Sequence, residues 1–353
     1  MNKLNYSALL LICISLFFTS CSKDDDQGQE PVPTGQYANG ILISNEGPFG
    51  SGSGTISFIS YDFNTVEHNI YQNVNGSGIG NVVNAMGFSD TDAYIVANNS
   101  NLIRIANRYT FESKGSITSG LESPRHFVTA NNDFGYVSNW GDPTDEEDDF
   151  IAVIDLNSQS VMATIPVTFG PERMVAHNNR VYVAHQGGYG HNHVISVIAG
   201  NELSNTITVG DAPQSMAIVG NNLFVLGTGK PSYTGDETAG TLTKIDLTTE
   251  TVVERVDFEM SEHPENLTTD GTHLFYNLNG QVYKLAANSI SDTPTPLFDG
   301  FFYRMEVRDN FLYATDAVDF ASQGRLYVYD LTTNQKIEDL QMGIIPGGIY
   351  FNE

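Results

Sequence analysis

Gly135-Tyr-Val-Ser-Asn-Trp-Gly141, Val181-Tyr-Val-Ala-His-Gln-Gly187 and Leu223-Phe-Val-Leu-Gly-Thr-Gly229 are copies of one short segment, and their recurrence decides the fold. Four more copies follow the same pattern: Ile41-Leu-Ile-Ser-Asn-Glu-Gly47, Ala93-Tyr-Ile-Val-Ala-Asn-Asn99, Leu274-Phe-Tyr-Asn-Leu-Asn-Gly280 and Leu312-Tyr-Ala-Thr-Asp-Ala-Val318. Short apolar runs of this kind, bounded by Gly, Asn and Asp and without a sustained helical period, read as strands. Working outward, a second strand precedes each copy and commonly opens on proline: Pro124-Arg-His-Phe, Pro171-Glu-Arg-Met, Pro213-Gln-Ser-Met, Pro264-Glu-Asn-Leu and Pro346-Gly-Gly-Ile. Val82-Val-Asn-Ala and Phe302-Tyr-Arg-Met hold the same place without the proline. A third strand follows, clearest in Ala152-Val-Ile-Asp-Leu, Thr243-Lys-Ile-Asp-Leu and Tyr327-Val-Tyr-Asp-Leu, then a turn and a fourth such as Val161 to Val167. Four strands repeated roughly every 45 residues predict an all-β chain folded as a seven-bladed β-propeller.

The ends of the repeat array complete one another. Nothing follows the strand Pro346 to Phe351, while residues 41–71 supply three strands with nothing before them. One C-terminal and three N-terminal strands therefore make the seventh blade, and closing the ring removes an open sheet edge. Asp155, Asp246 and Asp330 each precede Leu and a turn of Ser, Thr or Asn, which predicts turn capping and no catalytic role.

The chain has 353 residues, 42 of them Asp or Glu against 16 Lys or Arg, and a formal charge of −26. That balance disfavours nucleic acid as a partner and docking on anionic lipid through a basic patch. Residues 1–20 read as an export signal, with Lys3, an apolar run from Ala8 to Phe18, and small residues before Cys21. The run is shorter than the roughly 20 residues a spanning helix needs. The other cysteine, Cys13, lies inside the signal, so the expected mature domain has neither a disulfide nor a cysteine metal site. Residues 27–36, with Pro31 and Pro33 among Gly, Gln and Glu, read as a tether. The expected layout is a signal at 1–20, an anchor and tether at 21–39, and the propeller at 40–353.

The long connections lie between second and third strands: Gly47 to Gly54, Asn139 to Asp149, His185 to His193, Gly227 to Gly240 and Asp316 to Gly324. In a propeller these share one face with the starts of the proline-opened strands, so that face is the expected binding surface. It would carry Phe49, Trp140, His185, Tyr189, Tyr233 and Phe320 as ligand contacts, with Arg125, His126, Arg173, Gln214, Asn266 and Arg304 from the strand starts. Arginine offers a planar fork to carboxylate, phosphate or amide oxygens, and aromatics offer area at little entropic cost. An equal alternative pairs the arginines with Glu122, Glu172 and Glu306 to hold blades together. His191 and His193 alternate on an extended segment and point one way, so with His185 or His126 they form a weak candidate Zn or Cu site; solvated or ligand-touching imidazoles are the plainer reading. The loop Asp142 to Asp149 clusters carboxylates without the spacing of a calcium loop, and a solvated acidic loop is the default. No Gly-x-Ser-x-Gly, His-Glu-x-x-His, phosphate loop or dinucleotide fingerprint is present, and no cofactor is expected.

Two resemblances sharpen these expectations. Phe18-Thr-Ser-Cys21 resembles a bacterial lipobox, which implies lipidation of Cys21, and Ser22-Lys23-Asp24-Asp25-Asp26 resembles the surface-export signal of Bacteroidota lipoproteins. With the repeat and its Pro-x-x-Met/Leu strand starts, the chain resembles the YncE-like propeller lipoproteins of Bacteroidota, a branch of which binds cobalamin at the cell surface and passes it to an outer-membrane transporter. The resemblance implies a non-enzymatic, lipid-anchored outer-membrane protein exposed at the surface, whose small-molecule ligand is cobalamin or a related corrinoid. Two other readings stay open: a lyase or lactonase on the same channel mouth, metal-assisted through His126, His185, His191 and His193, and a protein-interaction platform.

Overall fold

The computed structural model describes residues 34–142 and 144–353. The export signal, Cys13, Cys21, the Lys23 to Asp26 tract and most of the tether lie outside the described residues. Among the described residues, no helix is long and apolar enough to cross a membrane.

Seven four-stranded antiparallel sheets form the ring, six of them running outward from an innermost strand in sequence order and the seventh from the last strand of the chain to its first three. The innermost strands are Val83–Phe88, Pro124–Thr129, Pro171–His177, Pro213–Val219, Glu265–Thr269, Arg304–Arg308 and Pro346–Asn352, and each packs against the next around the axis. The repeated segment is the second strand of every blade. Gly40–Asn45 and Asp92–Ala97 are buried along their whole length, and Arg180–His185 at all but its first residue. Both faces of such a strand lie under neighbouring blades, which is why its sequence is a continuous apolar run. Outermost strands alternate instead, as Thr251–Asp257 does, because one of their faces meets water.

Closure follows the expected scheme. Pro346–Asn352 pairs antiparallel with Gly40–Asn45, Ile349 opposite Ile43, in the sheet that also holds Thr55–Ser60 and Val66–Glu67. Asn352 fastens the seam, donating from Nδ2 to the carbonyls of Tyr37 at 2.7 Å and Arg108 at 2.8 Å, while Arg108 Nε donates to its Oδ1 at 2.8 Å. Tyr37 is buried edge-on to Phe58 and Phe111, at centroid distances of 5.4 and 5.6 Å. The packed domain therefore takes in residue 37, ahead of the boundary expected at 40.

The turns behave as read. Asp155 Oδ1 accepts from the backbone N–H groups of Asn157 and Ser158, and Asp246 Oδ1 from those of Thr248 and Thr249. Asp330 Oδ1 accepts from Thr332 N–H. These bonds hold all three carboxyls below the usual carboxylate range. Asn178 and Asn179 both take positive φ, 49° and 60°, as a two-residue hairpin of matching twist requires.

Candidate functional site

The innermost strands, Arg304–Arg308 excepted, share a local irregularity that helps to build the site. Pairing skips from Pro124 to Phe127, from Pro171 to Met174, from Pro213 to Ser215 and from Glu265 to Thr268. A bulge releases residues from the ladder and re-aims their side chains. As a result the two positions after each strand-opening residue form two tiers along the channel.

The upper tier is the position directly after the opening residue: Arg125, Glu172, Gln214, Glu265 and Tyr303. All five line one cleft of about 340 Å³ at the mouth, with Trp140, Gln186, Gly187, Gly188, Phe302 and Arg304. Arg125 and Glu172 make a two-pronged pair, Nε to Oε2 at 2.8 Å and Nη2 to Oε1 at 2.9 Å. The Arg125 guanidinium also lies 4.0 Å from the Trp140 ring centroid, and Trp140 Nε1 donates to the Pro171 carbonyl at 3.0 Å. Trp140 is thereby fixed with one face against a cation. Across the mouth, Tyr303 donates to Glu46 Oε1 at 2.8 Å, and Arg304 stacks 4.6 Å from the Tyr303 ring. Burial pushes Glu46 above the usual carboxylate range, against the Tyr303 hydrogen bond that lowers it.

The lower tier is the next position. His126, Arg173, Arg304 and Gly348 line a second cavity of about 150 Å³ with Met86, Phe127, Met174, Glu306, Gly347, Ile349 and Tyr350. His126 Nε2 faces Glu172 Oε1 at 3.4 Å, and burial pulls the ring down to about 4, so it is neutral at physiological pH. Burial, with Arg304 beside it, pulls Arg173 down to about 10.

The arginine alternatives divide by residue. Arg125 pairs with Glu172, as the blade-bridging reading expects. Among the described residues, neither Arg173 nor Arg304 has a carboxylate within ion-pair distance.

Phe49, Tyr189, Tyr233 and Phe320 are exposed on the long loops of the mouth face, joined by Phe301. Phe320 lies edge-on to Tyr303 at 5.6 Å, so one rim ring touches the cleft wall. Gln214 lines the cleft, and its Oε1 accepts from Asn266 N–H at 3.0 Å. Two expected ligand contacts are corrected. His185 is 0% exposed, sandwiched between the Phe169 carbonyl at 3.2 Å and Ser196 Oγ at 2.9 Å, because it is the last inward residue of a second strand. Asn266 is 4% exposed and donates to the Phe302 carbonyl at 2.8 Å, tying two blades together. His191 and His193 are exposed, His193 Nδ1 lying 4.0 Å from Asp211 Oδ1. Among the described residues, no three His, Cys, Asp or Glu side chains stand close enough to hold a metal. Sequence reasoning passed over Glu46, Glu265, Tyr303 and Tyr350. The repeat register carried the signal for Glu265 and Tyr303, which share the Arg125 position.

Known structures share the architecture. Kuenenia stuttgartiensis hydrazine synthase aligns at 17% identity and a TM-score of 0.59, over 75% of this chain and 88% of that one. The Pseudomonas aeruginosa periplasmic gluconolactonase PpgL aligns at 10% identity and 0.65, over 89% and 99%. BamB from Moraxella catarrhalis aligns at 14% identity and 0.53, over 88% and 85%. At these identities the likeness is one of fold. No curated protein matches the sequence. The family described as a domain of unknown function, DUF5074, matches residues 39–344, and the chain belongs to that family.

Proposed function

We propose that this propeller captures a small nutrient at the channel mouth by non-covalent contact, and that the nutrient is a corrinoid, cobalamin or cobinamide. The supporting observation is the build of one face. Five side chains from one repeat position ring the cleft, Trp140 is fixed beside it, and exposed aromatic rings stand on the long loops of the same face. Fixed polar groups set orientation while apolar area supplies affinity. A corrinoid is several times larger than the 340 Å³ cleft, so it would lodge an amide-bearing edge there and lie against Tyr189, Tyr233 and Phe320. The corrinoid assignment draws on the resemblance to surface cobalamin-binding propellers, and with it the reading extends to lipid anchoring through Cys21 and delivery to an outer-membrane transporter.

Calorimetric titration of the propeller with cobalamin and with cobinamide is the test. Binding of either, weakened at least tenfold in Trp140→Ala, supports the reading. Absence of binding by both removes the corrinoid. Co-purification of an uptake channel from outer membranes checks the transporter, and recovery of the chain without one argues against delivery.

A further inference from the structure

We infer that the lower tier of the channel is an oxyanion site, which holds a carboxylate or phosphate group between Arg173 and Arg304. It goes beyond the mouth reading and stands or falls without it.

The argument rests on donors without acceptors. Arg173 carries five N–H donors, and among the described residues it makes neither a hydrogen bond nor an ion pair. Arg304 donates from Nη1 to the Tyr303 carbonyl at 2.7 Å, but its buried Nε has no partner. Native interiors rarely leave a buried donor such as Arg304 Nε unmet, and it points to a missing partner. Both guanidinia line the same 150 Å³ cavity. The nearest acid does not cancel them: Glu306 accepts from Thr268 Oγ1 at 3.0 Å, and burial raises its pKa towards the neutral form. Glu172, the other acid beside this tier, is occupied by Arg125. Glu46, beside Gly347, accepts from Tyr303 and is pushed by burial above the usual carboxylate range, so each acid near the two guanidinia is engaged elsewhere or raised towards its neutral form.

Space is provided by the closing strand. Gly347 and Gly348 bring no side chain into the cavity, and a Cβ on Gly348 would come within 2.7 Å of Ser44 Oγ and still closer to the Tyr350 hydroxyl. A volume of about 150 Å³ suits a phosphate or a small carboxylate, and planar guanidinium forks bind either through paired N–H···O bonds. The chain's charge of −26 makes this local excess of cation stand out, since a generic anion would be repelled at long range.

The test titrates the full chain with inorganic phosphate and, separately, with acetate, at an ionic strength held constant with sodium chloride. Saturable binding of either anion is expected, and whichever binds identifies the group. Arg173→Gln should weaken it at least tenfold, and Arg173→Lys should recover part of the loss. Thermal midpoints give a second readout. In chloride alone Arg173→Gln should melt at or above wild type, because it removes a guanidinium whose burial and repulsion by Arg304 outweigh the attraction of Glu306 and Glu172, and the bound anion should reverse that order by raising wild type alone. Three results would overturn the site: neither anion binding wild type, Arg173→Gln binding as tightly, or Arg173→Gln failing to fold. The last would show the charge to be compensated within the protein.

Discussion

Neutralising Glu172 isolates the interaction on which the mouth is built. Its carboxylate is 8% exposed and meets the Arg125 guanidinium, 18% exposed, through two bonds of 2.8 and 2.9 Å. Glu172→Gln keeps the shape and removes the charge, leaving Arg125 as a third unpaired guanidinium beside Arg173 and Arg304. Breaking a buried pair from one side costs about 3–5 kcal/mol. For a domain of this size that is a melting midpoint lower by roughly 4–8 °C. Removing both charges, as in Arg125→Met with Glu172→Leu, leaves neither member of this pair uncompensated and should return most of that loss. Acid sensitivity supplies a further sign. Arg125 and His126 hold Glu172 well below the usual carboxylate range, against the desolvation that opposes them. Its stabilising contribution is thus present above the unfolded pKa and fades as pH falls, and Glu172→Gln should lose that part of the acid dependence. Urea denaturation of the two variants and wild type measures the cycle. A Glu172→Gln variant within about 1 kcal/mol of wild type, or a double variant no better than the single, would refute the reasoning.

Three shorter predictions follow from other parts of the ring. Asp149 is buried with Oδ1 unpartnered and is pushed up to about 7, so it takes up a proton on folding and its penalty grows as pH rises from about 4 to 7. Asp149→Asn should stabilise the fold at pH 8 and lose that advantage by pH 4; denaturation at both values decides, and a constant difference would show that Asp149 titrates normally. His185 is pulled down to about 4 by burial, so its share of stability is present above pH 6.5 and lost as pH falls towards 4, about 1.4 kcal/mol for each unit of displacement. Its ring resonances followed by NMR should titrate near 4, and a midpoint near 6.5 would place the ring in water. Deleting residues 346–353 uncovers the paired edge of Gly40–Asn45 and removes the Asn352 fastening. Size-exclusion chromatography should then show association or aggregation, whereas a monomer with a native midpoint would contradict closure by that strand.

The blade count could be read from the residues because each second strand is buried on both faces and repeats a continuous apolar run. Turn-capping aspartates could be read too, since their chemistry is local. His185 was misplaced although the same repeat held the answer: it aligns with Asn45 and Asn139, both 0% exposed, whereas the Gly-rich segment after it suggested an open loop. Tyr37 was invisible because a single ring beside a proline-rich tether carries no period. Which arginine pairs and which stands free depends on bulges that aim neighbours from different blades at one another, and no local pattern encodes that. Of the mouth ring, Arg125 and Gln214 were identified, while Glu265 and Tyr303 became apparent as members only once the cleft showed that one repeat position lines it.

Trp140, the sole tryptophan of the chain, sits against Arg125 at the cleft, so its emission reports on the mouth alone. Titrating the protein with cobinamide and cobalamin while following that emission, with absorbance corrected, is the most direct measurement of capture at this site. The account predicts a saturable change that reaches its limit at one ligand per chain. Emission that stays flat through saturating concentrations of both corrinoids would contradict it.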